Sequence, residues 1–230
     1  VIEQAFSVKN LKAVALQINS PGGSPVQSEM ISKRIRDLSE EKNIPVLAFV
    51  EDVAASGGYW LACAADEIFA SKASIIGSIG VVSSGFGFDK AIKKIGVDRR
   101  LYTSGENKAI LDPFLPENKD DVKRLKAIQK ELHNQFISFV KSRRGSKITN
   151  KDKDVFTGAF WSGEKSLDLG LIDAFGEMKF ILKERFGEDI KIKEFAPKKK
   201  FFGLGNLFSG AIDVLIYKVE ERISFKRFGL

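Results

Sequence analysis

Pro45-Val46-Leu47-Ala48-Phe49-Val50-Glu51-Asp52-Val53-Ala54-Ala55-Ser56-Gly57-Gly58-Tyr59-Trp60 holds the key to the fold. An apolar run, a serine set among small residues and a second apolar run (Tyr59–Ala65) read as strand, tight turn and helix. Small neighbours on both sides leave the Ser56 hydroxyl free to project from the turn, within reach of a bulky carbonyl compound. The helix beyond would turn its free N–H groups and positive dipole end toward negative charge forming there. Gly58 stands two places after the serine, as in a nucleophile elbow, but Ala54 takes the place of the earlier glycine. The same residues also suit an N-cap serine in a sharp glycine turn.

The same alternation recurs on either side of this segment. Ala13–Ile18 is an apolar run with β character, closed by Asn19-Ser20-Pro21-Gly22-Gly23-Ser24. Residues 27–41 then carry helical periodicity through Met30, Ile31, Ile35 and Leu38. Glu67–Ala70 reads as a short strand, followed by the glycine-punctuated Gly77-Ser78-Ile79-Gly80-Val81-Val82. Residues 88–95 look helical and 97–102 extended. One long helix is expected over 117–143, with its stripe at Val122, Leu125, Ile128, Leu132, Phe136, Phe139 and Val140. Gly163–Leu169 and Glu177–Phe186 read as further helices, in a smaller cluster over 155–196. Strand, turn and helix in alternation predict an α/β domain built on a parallel sheet flanked by helices, with functional groups at the strand ends.

The 230 residues, 43% hydrophobic and 29% charged, are enough for a sizeable core. A net charge of +7 leans mildly toward an anionic neighbour. The single Cys63 excludes an intrachain disulfide framework, and its apolar surroundings make it a buried small residue. Beginning at Val1 with an apparently helical stretch, the chain reads as a fragment or processed product without signal peptide or membrane span. We divide it into a domain over 1–196 and a basic amphipathic helical tail over 197–230. In that tail Phe201, Leu204, Phe208, Ile212, Leu215, Val219 and Ile223 share one face. Asp213, Glu220 and Glu221 dilute its basic side, which favours docking on a neighbouring subunit over lying on a membrane.

A serine hydroxyl becomes a nucleophile once a base takes its proton. His133 lies inside the long helix, away from any turn, and reads as a surface or interhelical residue. A desolvated lysine is the other option, and serine–lysine pairs follow the same logic as the triad. Local sequence favours Lys108, at the end of the expected strand in Tyr102-Thr103-Ser104-Gly105-Glu106-Asn107-Lys108-Ala109-Ile110-Leu111. An ordinary solvated loop lysine fits the same stretch.

Four motifs occur in one order: Asn19-Ser20-Pro21-Gly22-Gly23, Asp52–Tyr59, Gly77-Ser78-Ile79-Gly80-Val81 and Ser104-Gly105-Glu106-Asn107-Lys108. Together they resemble the signal peptide peptidase A family of serine endopeptidases, similar in fold to the Clp protease and crotonase. The likeness covers roughly residues 11–185, including Thr157-Gly158 and Gly170-Leu171-Ile172-Asp173. It implies Ser56 as nucleophile, Lys108 as general base and Ser78 as the hydroxyl orienting the lysine. Gly23 and Gly57 N–H groups would form the oxyanion hole, with Gly22, Gly80, Val81 and Val82 binding an extended peptide by its main chain. The separation of 52 residues (108 − 56) fits the short, single-unit form.

What the resemblance implies is an endopeptidase of remnant signal peptides and other extended apolar peptides, acting through an acyl-enzyme. It implies a homo-oligomer, attached to a membrane by an anchor in the parent protein. No cofactor, metal or nucleic acid is expected. Two rivals stand beside this reading. One is a crotonase-like acyl-CoA enzyme using the glycine turns as a thioester oxyanion hole, and the other is a non-catalytic membrane scaffold.

Overall fold

In the computed structural model, residues 1–149, 154–196, 219 and 222–230 are described. A short helix α1 (Ile2–Phe6) leads to strand β1 (Val14–Ser20) and helix α2 (Pro25–Lys42). Pro25 at the first turn, and Ser24 accepting a hydrogen bond from the Gln27 N–H at 3.4 Å, start α2. Asn43 ends it in the left-handed conformation. Strand β2 (Val46–Ala55) follows, then α3 (Gly57–Ala62), β3 (Glu67–Ala70), β4 (Ile75–Gly77) and α4 (Asp89–Lys94). The long α5 (Lys119–Arg144), β5 (Phe160–Ser162), α6 (Gly163–Asp168), β6 (Ala174–Phe175) and α7 (Met178–Phe186) complete the order.

The architecture is the expected α/β one, with β2 as its axis. β1 runs parallel along one side of β2. On the other side β3 pairs in parallel with Leu47–Val50, and β4 then pairs in parallel with Val53–Ala55. β6 extends β3 in parallel, whereas β5 joins β4 antiparallel, so the sheet is mixed at that edge. β2 is therefore twice the length of the run read from sequence, which stopped at Val50 before two charged residues.

Those two residues create an irregularity. Between the pairs Ile18↔Val50 and Ser20↔Ala54, β1 advances two residues while β2 advances four. Glu51 and Asp52 take up the excess on the exposed side. Asn19 fixes the bend, donating through Nδ2 to Asp52 Oδ2 at 2.8 Å and accepting from the Val53 N–H at 3.3 Å. A bulge of this kind re-aims a strand, and here the strand passes from β3 to β4 just before Ser56.

Alternate residues of β2 face two layers. Val46, Ala48, Val50 and Ala54 join the main core with Ile35, Leu38, Tyr59, Trp60, Phe136 and Val140. Leu47 and Phe49 pack with Phe69, Ile181 and Leu182, which brings α7 to the opposite face. Val53 and Ala55 meet Phe228 near the C-terminus, with Phe225 alongside. Of the tail face read from sequence, Val219 and Ile223 are exposed, while Phe201, Leu204, Phe208, Ile212 and Leu215 lie outside the described residues. The extended segment expected over 97–102 forms no strand: its residues are exposed and join no ladder among the described residues. α5 begins and ends within two residues of expectation, yet of its stripe only Phe136 and Val140 are buried, and Ile128 is exposed.

Candidate active site

Ser56 joins β2 to α3 with φ 51° and ψ −123°, a left-handed φ that non-glycine residues rarely adopt. Two main-chain bonds hold it there: its N–H donates to the Gly77 carbonyl at 2.8 Å, and its carbonyl accepts from the Trp60 N–H at 3.0 Å. Residues 53–55 and 57–60 around it are buried, whereas Ser56 is partly accessible. Although Ser56 occupies the N-cap of α3, its side chain makes no capping hydrogen bond. The hydroxyl is thus displayed rather than consumed by the helix end, against the N-cap reading of the turn. Strain held by surrounding structure is a recurring mark of functional positions.

The glycine turn after β1 lies directly over this serine. Gly22 has φ +120°, and a Cβ there would come within 2.8 Å of Ser56 Cβ and 3.2 Å of the Gly57 nitrogen. A Cβ on Gly57 would meet Ser28 Oγ at 2.6 Å and the Gly23 nitrogen at 3.2 Å. The backbones of 22–23 and 56–57 are thus pressed together, as the absence of side chains permits. Gly23 faces open space, with nothing within 4 Å of the Cβ it lacks. Gly23 and Gly57, the two N–H carriers named from sequence, therefore sit side by side beside the serine.

The third motif meets the same spot from the sheet edge. Gly77, at φ +114°, packs against the Trp161 ring, while Ser78 is buried at φ 52° and donates its N–H to the Ala159 carbonyl at 2.7 Å. The Gly77 carbonyl is the acceptor for Ser56, so Ser78 is one residue from the main-chain partner of Ser56. Gly80 and Val81 are half-buried, Val82 is exposed, and no strand forms over 80–83. Lys108 lies apart in the turn over 104–111, exposed, its N–H donating to the Gly105 carbonyl at 3.2 Å. Among the described residues no hydrogen bond joins its ammonium to Ser56 or Ser78.

Behind the turn, a buried polar network ties α3 to α5 and to the approach to β6. Tyr59 donates to the Leu171 carbonyl at 2.8 Å, and burial pushes its phenol well above the usual range. Burial likewise raises the Cys63 thiol to about 12, which agrees with an inert core residue. Arg144, 1% exposed, donates to the Gly170 carbonyl and to Asp173 Oδ2 at 2.6 Å. Burial would raise the Asp173 carboxyl, but Arg144, Lys147 and the Ile68 N–H outweigh it and hold it low. Sequence reasoning marked Asp173 as part of a motif but gave it no role. It also missed the contact of His133 Nε2 with the Ile79 carbonyl at 3.0 Å. The available signal was spacing, since His133 stands three residues before Phe136 on the buried stripe.

Comparison with known proteins sets this geometry in context. The pattern of peptidase family S49 matches residues 39–187. Over its whole length the chain is 48% identical to a Brucella abortus protein named Na(+)/H(+) antiporter NhaA, of which it covers 33%. It is 34% identical to putative protease MJ0651 of Methanocaldococcus jannaschii, over 76% of the chain and 55% of that protein. A putative signal peptide peptidase SppA of Enterococcus faecium is 31% identical over 73% of the chain and 48% of its own length. The chain thus spans about a third to a half of these relatives. Among solved structures, a mutant of the 1510-N membrane-bound stomatin-specific protease is similar with a TM-score of 0.47 and 18% identity, covering 80% of this chain and 75% of that one. Among the described residues no helix is long and apolar enough to cross a membrane, and no cluster of potential metal ligands occurs. With the S49 pattern running from α2 through α7 and enclosing the Ser56 turn, the chain belongs to peptidase family S49, the family of signal peptide peptidase A.

Proposed function

We propose that this chain is the peptidase unit of a serine endopeptidase in which Ser56 and Lys108 form a catalytic dyad. The observation that carries the reading is the Ser56 turn itself. An accessible, uncapped hydroxyl in a left-handed backbone lies against the Gly22–Gly23 and Gly57 main chain. Ser56 Oγ attacks a peptide carbonyl while neutral Lys108 Nζ takes its proton. The Gly23 and Gly57 N–H groups receive the developing oxyanion, each donor contributing about 3 kcal/mol to the barrier reduction. Lys108 returns the proton to the leaving amine, and the acyl-enzyme is hydrolysed by water activated at the same amine. Ser78 holds the lysine, and the backbone of Gly80, Val81 and Val82, which forms no strand among the described residues, binds the peptide in extended form alongside Gly22. No cofactor enters this scheme.

Substrates in this reading are signal-peptide remnants and similar apolar peptides, in keeping with the name of the Enterococcus relative. Membrane association of the parent protein belongs to the same proposal. So does homo-oligomerisation, for which the exposed stretch around Lys108 is the support: no residue between 82 and 120 is buried. Assembly would cover that stretch and bring the lysine out of water, as a neutral amine base requires.

Intact-protein mass spectrometry after a fluorophosphonate probe tests the nucleophile. We expect one adduct on the wild type, none on Ser56→Ala, and loss of peptide hydrolysis in Lys108→Ala. Activity should rise with pH, because the unprotonated amine is the working base. Labelling that survives Ser56→Ala refutes the assignment, and an unlabelled protein that binds a CoA resin favours the acyl-CoA rival.

A further inference from the structure

Three hydrogen bonds from three different elements converge on the Gly77-Ser78-Ile79 turn. Ser56 N–H reaches the Gly77 carbonyl at 2.8 Å, Ser78 N–H reaches the Ala159 carbonyl at 2.7 Å, and His133 Nε2 meets the Ile79 carbonyl at 3.0 Å. The first two are main-chain contacts that many residue types could make. The third depends on one side chain. A carbonyl accepts and never donates, so His133 must carry its proton on Nε2 in this contact. It is therefore engaged as a donor and not oriented as a base.

The helix that carries His133 is firmly seated at this level. Phe136 and Phe139 stack on Trp60 with ring centroids 4.6 and 5.6 Å apart, and Trp60 belongs to the helix that Ser56 opens. One turn earlier the support thins out, since Leu125 and Leu132 are half-buried and Ile128 is exposed. His133 is thus the point at which α5 grips the turn. Ile79 itself is fully buried, and without the imidazole its carbonyl would lose this donor. Ser78, next to it, has a strained left-handed φ of 52° that needs restraint from both sides.

We propose that His133 is a positioning residue: its Nε2–H holds the Ile79 carbonyl, and through it sets Ser78 and the Gly77 acceptor of the nucleophile. The inference rests on the peptidase reading above and adds to it a residue outside the dyad and the oxyanion hole. Loss of the link lets the 77–79 turn relax, and misplacement on the order of 1 Å at a reacting group can cost about a hundredfold in rate.

A series of three variants in the full chain tests this. The glutamine amide nitrogen lies as many bonds from Cβ as Nε2 does, the asparagine amide is one bond shorter, and phenylalanine keeps the ring without a donor. We expect His133→Gln to keep most of the wild-type kcat. His133→Asn and His133→Phe should lose about ten- to a hundredfold in kcat and in the rate of fluorophosphonate labelling at Ser56, with KM little changed. Unfolding midpoints of all three variants are measured alongside. Equal activity across the series overturns the inference, as does a loss that follows the midpoints regardless of a donor at the Nε2 position. If wild-type protein labels at Ser56 and Lys108→Ala is dead, such a result removes His133 alone and leaves the dyad standing. A wild type that never labels at Ser56 removes both.

Discussion

Gly22 and Gly23 are adjacent, but the structure gives them different tasks. At Gly22 the φ of +120° and the 2.8 Å approach to Ser56 Cβ forbid a side chain. Gly22→Ala should therefore destabilise the fold by at least about 1 kcal/mol and displace Ser56, read by denaturant unfolding and by probe labelling. At Gly23 a methyl group meets nothing within 4 Å. Gly23→Ala should leave stability within about 0.5 kcal/mol of wild type, and a fall in peptide hydrolysis would place its cost at the substrate. The serine turn and the glycine turn were both legible in the sequence, because small residues between apolar runs have few other uses. Which glycine touches the serine was not legible, since that depends on how β1 and β2 are aligned. His133 shows the same limit: its helix and face could be read, but a backbone carbonyl as partner leaves no mark on composition.

Among the elements, α5 depends most on a buried charge. Arg144 in its last turn meets Asp173, which follows α6, while Lys147 contacts the other carboxylate oxygen at 2.6 Å. Arg144→Ala leaves Asp173 with less compensation, and removal of one partner from a buried pair typically costs about 3–5 kcal/mol. The pH dependence has a definite sign. The Asp173 carboxyl is held below its ordinary value, so its contribution is complete above about pH 4 and is lost as the pH falls below that. Thermal unfolding from pH 7 down to pH 2 should show that loss in the wild type, and Asp173→Asn should be less stable at neutral pH with a flatter acid limb. Helix limits were readable to within two residues in α2 and α5, where periodicity and caps agree. β5 and β6 have three and two residues, too few for alternation to register. The stretch 97–102 had the composition of a strand but joins no ladder among the described residues, and pairing makes a strand.

Across the whole molecule, polarity is unevenly distributed between the core and the long excursion after β4. Phe86 is 80% exposed, Tyr102 90% and Ile95 74%, in a stretch with no buried residue. Apolar side chains concentrated in one exposed segment mark an interaction surface, and under the proposed assembly a second copy covers it. Phe86→Glu combined with Tyr102→Glu should shift sedimentation to the monomer and abolish hydrolysis while the thermal midpoint changes little. A single-copy wild type in sedimentation would remove oligomerisation from the proposal. The parallel order of β1, β2 and β3 was foreseeable from alternating strands and helices, whereas the way the chain changes partner along β2 was not. That change has a geometric corollary. The excess of Glu51 and Asp52 over β1 is an even number, so inward and outward positions of β2 keep their alternation on both sides of it. It works as a spacer that pushes the serine about 6–7 Å further along the strand direction without turning the sheet inside out.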